Sequence, residues 1–139
     1  MKRISEVLKE ASKQKDRDGK IAKLKENDSE ALRAVLQATF DERIIFELPP
    51  GVPPYKEPDD MVDNNAGIFR EYRKFYIWTK NRKSAQMKQM KRENVFIQTL
   101  ESVHPDDAKL LIAMKDKKMP YKGITKKLVQ EAFGEDFVK

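Results

Sequence analysis

The sequence predicts a mainly α-helical fold: a single small domain of about five or six helices with a proline-rich extended crossover. Three observations predict it. Apolar residues recur at spacings of three and four on both sides of the chain's middle. Cap and stop residues stand at the ends of those segments. Between them, five of the ten residues 49–58 are proline, which forbids helix and favours polyproline II. At 139 residues, 39% of them hydrophobic, the chain is long enough for one core and too short for two comfortable ones.

Taken in order, Ile4, Val7, Leu8 and Ala11 place residues 3–15 on an amphipathic helix. Residues 16–19 break it, and Ile21 and Leu24 continue on a second short, basic helix. Residues 1–27 are therefore expected as a basic helical arm, with the helical domain proper at 28–139. Asn27, Asp28 and Ser29 offer N-caps for the next helix, whose Leu32, Val35, Leu36 and Phe40 form one stripe. Ile44, Ile45, Phe46 and Leu48 are a short β-leaning run that opens the crossover at 44–58. Gly51 is its expected hinge, and Phe46 and Tyr55 its expected anchors to the core.

Helix resumes from Asn64. At about 100° per residue, Ile68, Phe69, Tyr72, Phe75, Tyr76 and Thr79 share one face, which reads as core, and Trp78 falls at its edge. The helix is expected to break near Asn81 to Ser84 and restart through Phe96, Ile97 and Leu100 to Val103. His104-Pro105-Asp106-Asp107 is a helix start: His104 is a cap, proline suits the first position, and the acids complement the positive end of the dipole. Ala108, Leu111 and Met114 share a face of that helix, lysines gather at its carboxyl end, and Pro120 stops it. The last helix takes Thr125 as N-cap, Ile124 and Val129 as a hydrophobic staple, and Gly134 as its close.

The composition excludes several kinds of chemistry. No cysteine is present, so there is no disulfide framework, thiol nucleophile or Cys-ligated zinc, as expected for a reducing, intracellular setting. His104 is the sole histidine, which leaves no multi-histidine metal site. Pro105-Asp106 with Asp116-Lys117-Lys118 superficially matches a metal-dependent nuclease pattern. Those acids, however, fall on one helix about ten residues apart, roughly 15 Å, too far to share a metal. Asp59, Asp60 and Asp63 fit no calcium loop. No apolar run approaches the roughly 20 residues needed to cross a bilayer, so no membrane association is expected. Neither catalysis, a cofactor nor a metal is expected; binding is.

The charge says how. The net charge is +6, and it alternates in blocks. Residues 70–92 carry nine Lys and Arg against Glu71 alone, and residues 109–127 carry seven lysines against Asp116 alone, with acidic stretches between and around them. Two such blocks are expected to converge on one positive face that engages the phosphates of DNA or RNA through Arg70, Arg73, Lys74, Arg82, Lys83, Lys88, Lys91 and Arg92, joined by Lys122, Thr125, Lys126 and Lys127. Lysines that merely solvate helix faces are the plain alternative. Lys126 and Lys127 stand out because cations in the first turn oppose the helix dipole. Free backbone N–H groups there, with Thr125, Lys122 and Gly123, describe an anion site. Asn81 and Gln86 are weak candidates for base reading. The competing class is a protein-interaction module, docking through the acidic proline segment with Tyr55 or through an apolar patch of Trp78, Met87 and Met90.

At Leu48–Lys56 (LPPGVPPYK) and Phe96–Phe133, with its DAKLL, AMKDKK and PYKGIT runs, the chain resembles a family of small uncharacterised proteins from T4-like tailed phages, including those of marine cyanobacteria. The resemblance covers most of residues 30–133. It implies expression in the cytoplasm of an infected bacterium, and a role in gene expression, in DNA metabolism or in the particle. The alternative partner is thus a host or phage protein complex. The resemblance supplies no catalytic residues.

Overall fold

The computed structural model describes residues 2–57 and 67–139. The expected helix start at Asn64 and the Asp59, Asp60 and Asp63 group lie outside them. Six helices of eight residues or more are present among the described residues: α1 (Ile4–Ser12), α2 (Arg17–Glu26), α3 (Glu30–Phe40), α6 (Gln89–Ser102), α7 (Pro105–Lys115) and α8 (Lys126–Phe133). A shorter helical run lies between α3 and α6: α4 (Gly67–Glu71), a 3₁₀ turn (Tyr72–Lys74) and α5 (Phe75–Trp78). No helix among the described residues is long and apolar enough to cross a membrane.

The caps explain where the helices begin. Asp16 accepts from Gly19 N (2.7 Å), Ser29 Oγ from Leu32 N (3.0 Å), His104 Nδ1 from Asp106 N (3.1 Å) and Thr125 Oγ1 from Leu128 N (3.2 Å). Each satisfies an N–H that the first turn leaves without an intrahelical acceptor. α1 lacks a side-chain cap of its own at Arg3. The buried carboxylate of Asp107 on α7 replaces it, accepting from Ser5 N at 3.1 Å. α3 ends in a comparable long-range cap. The Lys117 ammonium donates to Ala38 O (2.6 Å), Asp41 O (2.8 Å) and Ile44 O (2.8 Å), where the helix runs out of donors. Lys117 thus serves α3 rather than the end of its own helix, and it holds φ at 59° to do so.

One continuous core joins the helices. α1 packs on α2 and α7, α2 on α8, α3 on α7 and α4, and α6 on α5 and α7. Leu8, Leu24, Leu32, Leu36, Leu100, Leu111 and Leu128 are all fully buried in it. Ile4, Val7, Leu8, Ala11 and Leu24 therefore belong to the same core as α3 and α7, and the basic helices within residues 1–27 are built into the domain.

Two carboxylates hold the described part of the crossover. Asp116 Oδ2 accepts from Gly51 N (3.1 Å) and Glu101 Oε2 from Lys56 N (2.7 Å). Gly51 is the hinge, at φ 86°. Phe46 and Tyr55 pack part-buried against the core, as expected, and Leu48 joins them. The β-leaning run amounts to a single antiparallel bridge between Phe46 and Thr79, flanked by Glu47 N→Trp78 O (2.7 Å) and Lys80 N→Ile45 O (2.8 Å).

The 3₁₀ turn changes what α5 shows to solvent. Tightening from 3.6 to 3.0 residues per turn adds about 20° per residue, roughly 60° over Tyr72–Lys74. Ile68, Phe75 and Trp78 then fall within about 60° of one another, and Tyr76 swings to roughly 140° from Ile68. Trp78, expected at the edge, is 0% exposed; Tyr76, expected in the core, is 46% exposed. Trp78 stacks at a tilt on Phe75 (5.7 Å between centroids) and edge-on to Phe96 (5.0 Å).

Candidate nucleic-acid interface

Residues 79–92 fold as a compact loop running into α6, and neutral groups hold it. Asn81 Oδ1 accepts from Ser84 N (3.0 Å), and Asn81 Nδ2 donates to Tyr76 O (2.8 Å) and Thr79 O (2.9 Å). Ser84, buried, donates Oγ–H to Thr79 O at 2.6 Å. The Arg92 guanidinium enters from α6 and donates to Ile77 O (2.9 Å), Ser84 O (2.7 Å) and Gln89 Oε1 (2.6 Å). Gln89 in turn donates to Glu47 O (2.8 Å), which fastens the loop to the crossover.

This corrects three expectations. Arg92 is 4% exposed and wholly engaged with main-chain and amide oxygens, so it is a scaffold residue and not a phosphate ligand. Asn81 spends its amide on the loop itself and is not free to read a base. Trp78 is sealed in the core and presents nothing to a partner protein.

What the loop exposes is positive. Lys80, Arg82, Lys83, Lys88 and Lys91 are exposed and pair with no carboxylate among the described residues. Arg70 and Arg73 are exposed likewise, the latter with its guanidinium 5.5 Å from the Tyr72 ring centroid. Lys83 Nζ lies 5.8 Å from the Tyr76 centroid. Lys74 differs, being 2.7 Å from Glu71. α6 also starts without a side-chain cap at Lys88 and without an acid in its first turn, which adds a helix amino end to the positive field. Lys80 was not singled out in the sequence, although it sits in the basic run. Tyr76 was missed because only the 3₁₀ turn brings it out.

The second block is differently placed. Lys122, Thr125, Lys126 and Lys127 stand where α8 meets the end of α1 and α2: Lys122 O accepts from Ser12 Oγ, and α8 packs on α2. Thr125 is occupied as the N-cap. Lys126 donates to the main-chain oxygen of Lys139 and lies 3.5 Å from Glu42. Gly123 has φ 85°, but the space above it holds Lys20, whose Cε would stand 2.7 Å from an added Cβ. Of this group, Lys122 and Lys127 are exposed and pair with no carboxylate among the described residues. Among the described residues, no hydrogen bond, ion pair or cavity wall joins this group to residues 70–92. The 70–92 block therefore holds the larger set of exposed, unpaired cations among the described residues.

The apolar alternative keeps one strong element. A cleft of about 300 Å³ runs between the prolines of the crossover and α6, walled by Pro50, Val52, Pro53, Met90, Phe96 and Ile97. Met90 is 76% and Val52 75% exposed beside it, whereas Met87 and Tyr55 are part-buried. Beneath it the Lys115 ammonium is buried against Asp116 Oδ1 at 2.8 Å. Among the described residues, no group of three or more His, Asp and Glu is placed to hold a metal.

Residues 7–121 match a family described as a family of unknown function (DUF6433), and the chain belongs to that family. The matched span includes residues 70–92 and ends before Lys122. Comparison with curated proteins gives no match.

Proposed function

We propose that this chain is a non-enzymatic protein that binds nucleic acid through phosphate contacts. The observation that carries the reading is the set Arg70, Arg73, Lys80, Arg82, Lys83, Lys88 and Lys91: seven exposed cations with no carboxylate partner among the described residues, several on a loop held by internal hydrogen bonds. Cations already paired gain little from a phosphate, because one contact replaces another; unpaired ones gain counterion release. A fixed loop loses less conformational entropy on binding than a mobile one. With the resemblance to proteins of T4-like phages, the setting is the cytoplasm of an infected bacterium, with DNA or RNA as the partner.

The test is titration of labelled nonspecific duplex DNA and RNA at two salt concentrations. Affinity for duplex DNA is expected to fall with a log–log slope of about −0.9 per phosphate neutralised. Arg82→Gln or Lys88→Gln should each lower that slope by about one, and Lys126→Gln should leave it unchanged. No binding at low salt overturns the reading.

A second reading rests on the cleft beside Met90 and Val52, the most exposed large apolar side chains among the described residues. There the chain docks on a host or phage protein. Tight capture of one such partner that persists in high salt, without nucleic-acid binding, favours it.

A further inference from the structure

We infer that the loop patch takes single-stranded nucleic acid, with one unpaired base stacked on Tyr76; the inference rests on the phosphate-binding reading above and specifies its substrate. Tyr76 is an exposed aromatic ring beside the cations of the loop. Phe75 and Trp78, on either side of it in sequence, are buried, Phe75 against Trp78 and Trp78 against Phe96, so α5 presents the ring from a fixed base. Its own carbonyl is tied to Asn81 Nδ2 at 2.8 Å, which keeps the loop next to it.

The charges around it suit a strand that bends a base out of its backbone. Lys83 reaches over the ring at 5.8 Å, near the outer limit of a cation–π contact. An arriving base can take over that face while the ammonium moves to the adjoining phosphate. Lys80 and Arg82 follow in the same loop, and Arg73 lies one turn before Tyr76 on the Tyr72 ring. A duplex cannot use the ring, because its bases are already stacked on each other. A patch that only counts phosphates prefers the duplex, which has the higher charge density. Stacking on an aromatic platform reverses that preference.

The experiment measures binding of a labelled oligothymidine and of a duplex of equal length to the full chain and to Tyr76→Ala and Tyr76→Phe, at two salt concentrations. The expected result is tighter binding of the single strand, a roughly 5- to 150-fold loss for that strand in Tyr76→Ala, and recovery in Tyr76→Phe. The duplex affinity should barely change in either variant. Tyr76 is half-exposed, so both variants should fold, and an unchanged urea midpoint checks this. If both nucleic acids bind but the duplex is preferred, or Tyr76→Ala binds the single strand as well as the parent does, the inference falls and phosphate binding stands. If neither binds at low salt, both fall together.

Discussion

Replacing Arg92 by methionine separates a scaffold residue from a ligand. The guanidinium supplies three hydrogen bonds, to Ile77 O, Ser84 O and Gln89 Oε1, at 2.6–2.9 Å. Ser84 O also accepts from Met87 N (3.1 Å), and Gln89 is exposed and can turn to water, so the heaviest loss is at Ile77 O. A buried carbonyl deprived of its donor costs about 1–3 kcal/mol, and the weakened bond at Ser84 about 1 more. Freedom from burying an unpaired cation returns part of this, and methionine fills most of the volume. Arg92→Met should therefore destabilise the fold by about 2–3 kcal/mol. Urea unfolding followed by emission of Trp78, the single tryptophan, reads the change directly, because its ring packs in the adjoining core. Amide exchange should rise first at Ser84 and Met87. The control is Arg82→Gln, which should leave the midpoint within about 0.5 kcal/mol. An unchanged midpoint in Arg92→Met, with one unit lost from the salt slope, would refute the assignment and return Arg92 to the phosphate-binding set.

The long-range cap on α3 should be as costly. Lys117→Ala removes three hydrogen bonds from the ammonium and should lose about 2–3 kcal/mol in urea unfolding, while Lys117→Gly should lose about 1 less because φ 59° suits glycine. Gly67→Ala places a Cβ 2.8 Å from Val103 Cγ1, and the resulting overpacking should cost about 1–3 kcal/mol, seen as a lower midpoint. Two carboxylates should give opposite pH slopes. Hydrogen bonds from Arg43 hold Asp41 well below the ordinary carboxylate range, so its contribution is present above that range and lost as pH falls through the folded value. Asp41→Asn should thus lower the urea midpoint at neutral pH and converge with the parent in strong acid. Burial raises Asp107, so stability falls as pH climbs from the ordinary carboxylate range through the raised value. Asp107→Asn should remove that fall and keep an acceptor for Ser5 N; a midpoint–pH curve parallel to the parent's would sink this assignment.

Much of the fold was legible because its signals are local. Ser29, His104-Pro105 and Thr125 mark helix starts by a hydrogen bond two or three residues away, and the stripes of α1 and α3 need only helical periodicity. Five prolines announce the crossover for the same reason. The rest depends on contacts no short window contains. Nothing in Tyr72-Arg73-Lys74 announces a 3₁₀ turn, yet that turn exchanges Trp78 and Tyr76 between core and surface. Arg92 reads in sequence as one more cation in a basic run; only the folded loop encloses it. Lys126 finds Lys139 and Glu42, and Lys117 finds α3, across distances of 13 to 84 residues in the chain. The candidate site was therefore visible as a region and not as a list of residues.

How the loop is held bears on what it can bind. A basic loop can be pinned in two ways: by carboxylates, which bond its cations strongly and cancel their charge, or by carbonyl and amide dipoles, which fix geometry and leave the charge in place. At the crossover, carboxylates do the pinning, Asp116 and Glu101 accepting from the main-chain N–H groups of Gly51 and Lys56. In residues 79–92 the chain uses the second way, and the one cation drawn inward, Arg92, is met by neutral oxygens alone. The enclosed guanidinium thus keeps its positive charge beneath the surface, adding to the potential of the exposed lysines above it. For the proposed polyanion-binding surface, a scaffold built from Asn81, Ser84, Gln89 and Arg92 leaves the attraction of the exposed cations undiminished.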